Sequence, residues 1–426
     1  MQDEANDAGI LPYVMFGVPD APLRGGERRS RHTSTRVVMP DRSQRVRRAT
    51  TPTKYCGNQT DKNVEFLLNI SIILHLSKTT GELMNEPLQN IVEPLLHWFD
   101  SNKRDLPWRR DTEPYHVWIS EIMLQQTRIE AVMRYYARFM EALPDIRSLS
   151  EVDDDRLLKL WEGLGYYSRA RNLKKAAVAV MNDHAGQFPN TFTKLKKLPG
   201  IGEYTAGAIA SICFDEKVAA VDGNVLRVIA RIQGSRENVL LPQTKKVFSE
   251  ELTKIMPRHS GAFNEALMEL GELICLPNGT PLCSACPLRS CCTAYRENLT
   301  AEIPVRVKKL KRSRKDLTVL VLLTPDGHIA IEKRPDTGLL SGMYQLPNIE
   351  GFYTENELFT ILQDWHLSPK TIRFLKDAKH VFTHIDWCMK GYTAEITEPS
   401  GRFLWVTEQD LSAAYPLPTA FRKITD

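Results

Sequence analysis

The pattern of hydrophobic positions along this chain changes character three times. Up to about Gly81 there is little periodicity. Arginines crowd Arg24 to Arg48, and the apolar run Val64 to Leu76 is short and broken by Asn69, Ser71 and His75. From Leu88 the spacing becomes helical: Leu88, Ile91, Val92, Leu95, Leu96 and Phe99 recur at threes and fours, and Pro94 among them requires a kink or a later helix start. From His116 to about Ala294 the chain reads almost wholly as helix, cut by short Gly or Pro breaks. Ile303 to Lys315 holds seven Lys or Arg and few apolar residues, and reads as a linker lying near phosphate. Beyond it, Leu317–Leu323, His328–Lys333, Lys379–Met389 and Arg402–Val406 carry strand patterns, with Pro325-Asp326-Gly327 as a turn. The expected organisation is an extension over 1–83, a helical region over 84–300, a basic linker over 301–316 and a smaller α+β domain over 317–426.

Composition narrows the picture. With 426 residues the chain has room for two or three domains, and 42% apolar residues can fill real cores. A net charge of +4 announces no nucleic-acid partner, so basic segments must be judged locally. The Val64–Leu76 run is too short to span a bilayer, and the acidic first residues suggest no secretory signal, so a soluble protein of the cell interior is expected. The extension over 1–83 is read first as a disordered, solvated tail or as sequence translated upstream of a start at Met84, and second as a basic arm touching DNA.

Five of the eight cysteines fall between Cys275 and Cys292, which argues against a spread disulfide framework and for a metal or cluster. The spacing is Cys275-x7-Cys283-x2-Cys286-x5-Cys292, with Cys291 as a competing fourth ligand; spacing favours Cys292. Zinc is the alternative to an iron–sulfur centre, although zinc ribbons usually carry two C-x2-C pairs. Cys56, Cys213 and Cys388 stand alone and read as packing residues.

Four further segments carry chemistry. Leu198-Pro199-Gly200-Ile201-Gly202 precedes a small-residue helix. Gly200 and Gly202 let the backbone turn so that the next helix offers its first amides to an anion, the form of a helix–hairpin–helix that grips a DNA phosphate. Asp222, about twenty residues on, can cap the following helix beside that turn, or stabilise the cation left when a glycosidic bond breaks. Glu121 is the one acid in the run Trp118–Thr127, where apolar surroundings would raise its pKa to suit a general acid, unless it simply faces solvent. Gln125, Gln126 and Thr127 beside it are uncharged hydrogen-bonders able to enter a base stack. Leu164 and Tyr166, flanked by Gly163 and Gly165, are either wedges for a duplex or core residues.

Together LPWR, WxSExMLQQT, GLGYYSRARNL, LPGIGxYTAGAI, VDGNVLRV and the cysteine run, in that order from about Leu88 to the end, resemble the MutY family of adenine DNA glycosylases within the helix–hairpin–helix superfamily. The resemblance implies a multidomain fold: a mainly α glycosylase region with a six-helix barrel, a hairpin and an iron–sulfur loop over 275–292, then an α+β MutT-like (Nudix-fold) domain. It implies removal of adenine mispaired with 8-oxoguanine or guanine in double-stranded DNA. In that reading Glu121 is the general acid at adenine N7 and Asp222 the carboxylate that steadies the sugar cation. Tyr204 stands where bifunctional relatives carry a lysine, so no Schiff base forms and the strand is not cut. Arg109, Asn224 and Glu265 line the adenine pocket, and Gln126, Leu164 and Tyr166 invade the helix. Cys275, Cys283, Cys286 and Cys292 hold one 4Fe–4S cluster. Phe382-Thr383-His384 stands at the family's FSH motif, which recognises 8-oxoguanine. Two departures are visible: Thr in place of Ser, and seven residues instead of six between the first two cysteines. No REx2EE run follows Leu317, so phosphohydrolase activity is not expected. A monomer without a membrane partner, working on nucleoid DNA in a bacterial cytoplasm, completes the expectation.

Overall fold

A computed structural model of the chain describes residues 86–307 and 312–425, all within one compact unit. The readings made for residues 1–83, for Met84 and for the middle of the linker lie outside the described residues. Ignoring single turns, the helical region contains α1 (Val92–Asn102), α2 (Pro114–Leu124), α3 (Ile129–Ala142), α4 (Ile146–Glu151), α5 (Asp154–Leu160), α6 (Ser168–Asp183), α7 (Glu203–Phe214), α8 (Gly223–Gln233), α9 (Pro242–Lys254) and α10 (Ser260–Leu273). Pro94 stands in the first turn of α1, where its missing N–H costs nothing, so the later-start reading holds.

These helices enclose two separate cores. The first gathers Trp118 and Met123 of α2, Phe139 of α3, Leu173 of α6 and Ile209 of α7; the second gathers Phe99 of α1, Ile229 of α8, Leu252 of α9 and Phe263 of α10. They meet where α7 lies against α10. A Cβ on Gly261 would stand 2.7 Å from the Ile212 Cα, so only glycine allows that approach. Buried Asn264 secures the contact: its Nδ2 donates to Ser211 Oγ and to the Val218 carbonyl, both at 2.9 Å, and its Oδ1 accepts from Ala220 N at 3.0 Å.

The C-terminal part is a seven-stranded sheet of β1 (Ser313–Leu323), β2 (Ile329–Lys333), β3 (Tyr344–Gln345), β4 (Asn348–Glu350), β5 (Pro369–Val381), β6 (Ile385–Ile396) and β7 (Leu404–Val406). The main path runs β3-β2-β1-β6-β5, with β1 parallel to β6 and the other pairs antiparallel. Side chains alternate across β1: Leu317, Val319 and Val321 pack with Phe421 of α13 (Thr419–Thr425), and Leu320 and Leu322 with Leu358 of α11 (Glu355–Asp364). Buried on both faces, β1 reads as a continuous apolar run. A short helix, α12 (Glu408–Ala413), precedes α13.

Two strand expectations change. β1 begins at Ser313, four residues before Leu317. Lys379–Met389 is not one strand but the end of β5, a turn at Phe382–His384, and the start of β6. The alternating pattern runs through that turn because Phe382 packs beneath it against Trp387, with ring centres 4.9 Å apart.

The sheet domain is joined to the helical region by its core. Met343 is fully buried within the first helical core. Polar contacts ring it: Glu162 accepts from Arg422 at 2.6 Å and from Leu417 N at 3.2 Å, Asp155 pairs with Lys333 at 2.6 Å, and Arg171 donates to the Ser341 carbonyl at 2.7 Å.

Candidate active site

α2 is apolar almost all round and therefore buried almost all round, and that carries Glu121 inside with it, 7% exposed. The surface-facing alternative for Glu121 is thereby excluded. Its side chain lines a cavity of about 680 Å³ that lies between the two cores. Tyr204 of α7 donates to Glu121 Oε2 at 2.5 Å. Burial pushes the Glu121 carboxyl up to about 7. The Tyr204 bond and Arg109 oppose the rise, and the charges of Asp222 and Glu265 add to it. A carboxyl in this state holds its proton near neutral pH and can deliver it.

Asp222 lines the same cavity and also caps α8. Its Oδ1 accepts from Val225 N at 2.7 Å and its Oδ2 from Asn224 Nδ2 at 2.9 Å. Burial raises its pKa, while those bonds and the Arg227 charge counter the rise by favouring the carboxylate. The cap and a place in the cavity wall are thus compatible. Asn224 in turn accepts from Arg227 Nη2 at 2.8 Å, and Arg227 reaches the carbonyls of Gly271 at 2.8 Å and Cys275 at 2.7 Å. One turn along α8, Arg231 donates to the carbonyls of Leu276, Thr300 and Ile303 at 2.8–2.9 Å. Arg227 and Arg231 therefore tie the cysteine loop to α8, the helix that Asp222 caps.

Arg109 and Glu265 face each other across the cavity wall, Nε to Oε1 at 2.9 Å. Arg109 Nη1 is buried with no hydrogen-bond partner, a donor free for an acceptor edge. Thr127, just past the end of α2, lines the cavity beside Gly200 and Gly202. Gly200 adopts φ +75°, and a Cβ there would stand 2.5 Å from Asn172 Cβ of α6, so the turn requires glycine twice over. Gly202 caps α7 without any side-chain bond, which leaves the first amides of α7 open to an anion. The helical segment before this hairpin is a single turn, Phe192–Leu195.

A second group lies beside the first. Gln126 and Tyr166 both adopt positive φ, 60° and 48°, and the Tyr166 hydroxyl, on a ring 46% exposed, donates to Gln126 Oε1 at 2.5 Å. The same hydroxyl lies 3.2 Å from Thr383 Oγ1 in the β5–β6 turn. Phe382, Thr383 and His384 line a cleft of about 520 Å³ shared with the Gly163–Ser168 loop. Leu164, read either as a wedge or as a core residue and assigned the wedge role by the resemblance, is only 7% exposed and packs in the first core. Its loop is turned inward by Arg169, which sequence reasoning left without a role. Arg169 Nη1 donates to the carbonyls of Ile122, Met123 and Gln125 at the end of α2, and its Nη2 to those of Leu164 and Gly165.

Cys275, Cys283, Cys286 and Cys292 lie within electrostatic reach of one another, whereas Cys291 turns away and its thiol bonds the Leu288 carbonyl at 3.4 Å. Among the described residues no group of three or more His, Cys, Asp or Glu side chains is gathered in a geometry that holds a metal ion. The donors still suit a thiolate-ligated centre: four half-buried thiols with the Arg231 guanidinium 3.3 Å from Cys275 Sγ. No helix among the described residues is long and apolar enough to cross a membrane.

This architecture agrees with comparisons to known proteins. Residues 119–258 match the HhH-GPD superfamily of base excision DNA repair proteins, and residues 318–426 match the NUDIX domain. The adenine DNA glycosylase of Buchnera aphidicola subsp. Baizongia pistaciae is 36% identical over 295 residues, covering 69% of this chain and 82% of that one. The adenine DNA glycosylase of Homo sapiens is 33% identical over 399 residues, covering 78% and 72%. Among solved structures, a thermostable thymine-DNA glycosylase is 29% identical, with a TM-score of 0.46, over 50% of this chain and 98% of that one. The chain belongs to the adenine DNA glycosylase family.

Proposed function

We propose that this protein hydrolyses the N-glycosidic bond of adenine mispaired with 8-oxoguanine or guanine in duplex DNA. The observation that carries the reading is the pairing, in one cavity, of Glu121, whose carboxyl pKa burial lifts to about 7, with Asp222, whose oxygens accept from Val225 N and Asn224 Nδ2 at the start of α8. Glu121 donates a proton to N7 of the everted adenine, which turns the base into a better leaving group. Asp222 then steadies the oxocarbenium-like sugar, and water completes the hydrolysis. Arg109, Glu265 and Asn224 border the same cavity and are assigned to the adenine edge. Tyr204 orients the acid and has no amine for a Schiff base, which supports base removal without strand cleavage.

The hairpin at Gly200 and Gly202 holds a phosphate, and Gln126 with Tyr166 enters the stack to favour eversion, which costs a few kcal/mol and less at a mismatch. Thr127 contributes a hydroxyl at the cavity edge. Phe382, Thr383 and His384 meet the oxidised guanine. The contact of Tyr166 with Thr383 supports that division, because it brings the wedge and the proposed reader to one point. One 4Fe–4S cluster is assigned to Cys275, Cys283, Cys286 and Cys292, where it would brace the loop that Arg227 and Arg231 tie to α8.

Single-turnover excision tests the reading, on duplexes with adenine opposite 8-oxoguanine, guanine or thymine. Fast release opposite 8-oxoguanine, slower release opposite guanine and none opposite thymine is expected. Tight binding without release from any duplex would replace the enzyme with a DNA-binding protein.

A further inference from the structure

Behind the cavity wall lies a carboxylate that the mechanism above does not use. Glu269 sits on α10 one turn beyond Glu265, only 1% exposed, and does not line the cavity. Its Oε1 accepts from the backbone N of Arg104 at 3.2 Å and from Arg104 Nε at 2.7 Å. Its Oε2 accepts from Arg104 Nη2 at 2.9 Å and from Arg109 Nη2 at 3.0 Å. Burial alone would raise its pKa, but the two guanidiniums outweigh burial and hold it below the ordinary range, so it stays charged. Two partly buried cations and two carboxylates thus close on each other, Arg104 and Arg109 with Glu265 and Glu269. A charge removed from such a group leaves its partners without compensation.

We propose that Glu269 is a positioning residue: by holding Arg109 through Nη2 it fixes that guanidinium against Glu265 in the cavity wall, and so sets how strongly Arg109 acts on the acid. The inference rests on the glycosylase reading. The groups facing Glu121 are Tyr204 from α7, Asp222 at the start of α8, Glu265 from α10 and Arg109 from the turn before α2. Those facing the Glu269 cluster are Arg104 and Arg109, with Glu272 and Glu130 acting on Arg104 and Lys103 on Glu265. Arg104, Lys245 and Arg306 also line the cavity, but Arg109 is the cation whose charge acts most on Glu121, so its placement weighs most in any change. Without the Glu269 charge, Arg109 keeps one carboxylate partner instead of two, and more of its field falls on Glu121.

The test is the pH profile of single-turnover adenine excision from an adenine:8-oxoguanine duplex, with folding checked by circular dichroism. Glu269→Gln keeps the shape and removes the charge. Its alkaline limb is expected to move to lower pH by about one unit, seen as an about tenfold rate loss above neutrality that closes towards pH 6. Glu269→Asp restores the charge and should return most of the limb. Arg104→Gln gives the opposite sign: Glu269 then serves Arg109 alone, and the limb should move to higher pH. If Glu269→Gln does not fold, the Arg104→Gln shift decides the question. A folded Glu269→Gln protein that is slower by the same factor at every pH, or a limb unmoved in both variants, overturns the positioning role. A wild-type protein that releases no adenine overturns the glycosylase reading, and this inference with it.

Discussion

The two working regions of this molecule are built in opposite ways. The cavity around Glu121 is made of helices anchored in two cores, and Glu121, Asp222, Arg109 and Glu265 in its wall are each bonded to a neighbour. The reading side, where Gln126, Tyr166 and Thr383 meet, is made of loop residues, two of them with positive φ, and its parts come from two domains. Proton transfer needs fixed distances and a fixed field, which helices supply. Entering a base stack needs exposed groups that can change partners, which loops supply. In the proposed role, the Tyr166 hydroxyl would give up its contacts with Gln126 and Thr383 when a duplex arrives.

Substitutions should separate the regions by what they damage. The largest effect is expected on the helical side: Glu121→Gln should lose at least ~10²-fold in single-turnover excision while gel-shift affinity for the mismatch is kept. Asp222→Asn should lose a comparable factor with a melting temperature within ~1 °C of wild type, since Asn caps a helix as well as Asp does. A melting temperature that fell with the rate would make Asp222 a structural cap alone. Arg227→Gln breaks bonds to Asn224, Gly271 and Cys275 together, so both stability and rate should fall, stability by about 3 kcal/mol because buried carbonyls lose their donor. On the loop side the effect should be smaller and selective. Thr383→Ala should narrow the preference for 8-oxoguanine over guanine by about five- to tenfold, the worth of one hydrogen bond, and leave excision opposite guanine unchanged. Equal slowing on both substrates would move Thr383 out of lesion reading.

The smallest effect concerns pH. Wild-type excision should be level below about pH 7 and fall above it, as Glu121 loses its proton. The same shift acts on stability with a definite sign. A carboxyl raised from 4.5 to about 7 on folding adds stability below its unfolded value and loses it as pH rises through the folded one. Glu121→Gln should therefore melt ~2 °C higher than wild type at pH 8 and alike at pH 5.

Much of the frame was legible in the sequence. Threes and fours located the helices, and the lone acid in an apolar run pointed at Glu121 because a helix apolar on all sides has no face for solvent. Gly200 announced its turn through a backbone conformation that glycine adopts most freely. What escaped reading were side chains whose meaning depends on partners far along the chain. Glu269 in Met268-Glu269-Leu270 looks like an exposed helical acid until Arg104, 165 residues away, is brought against it. Arg169 gave no sign that it would join the end of α2 to the Tyr166 loop. Leu164 was open to either reading because glycine neighbours flank both wedges and buried turns. The Phe382–His384 turn hid in a strand pattern, since alternation records which residues face a core and not where the chain reverses. Spacing favoured Cys292 over Cys291, whose thiol bonds the Leu288 carbonyl in the fold.

Met343 gives the domain boundary a practical meaning. A side chain from the C-terminal domain completes a core that otherwise belongs to the helices. A protein shortened after the linker would therefore carry a hole where a hydrocarbon used to be, besides missing Thr383. Poor excision by such a fragment would mix a blind enzyme with a loosened one, and only substitutions in the full-length chain can tell the two apart.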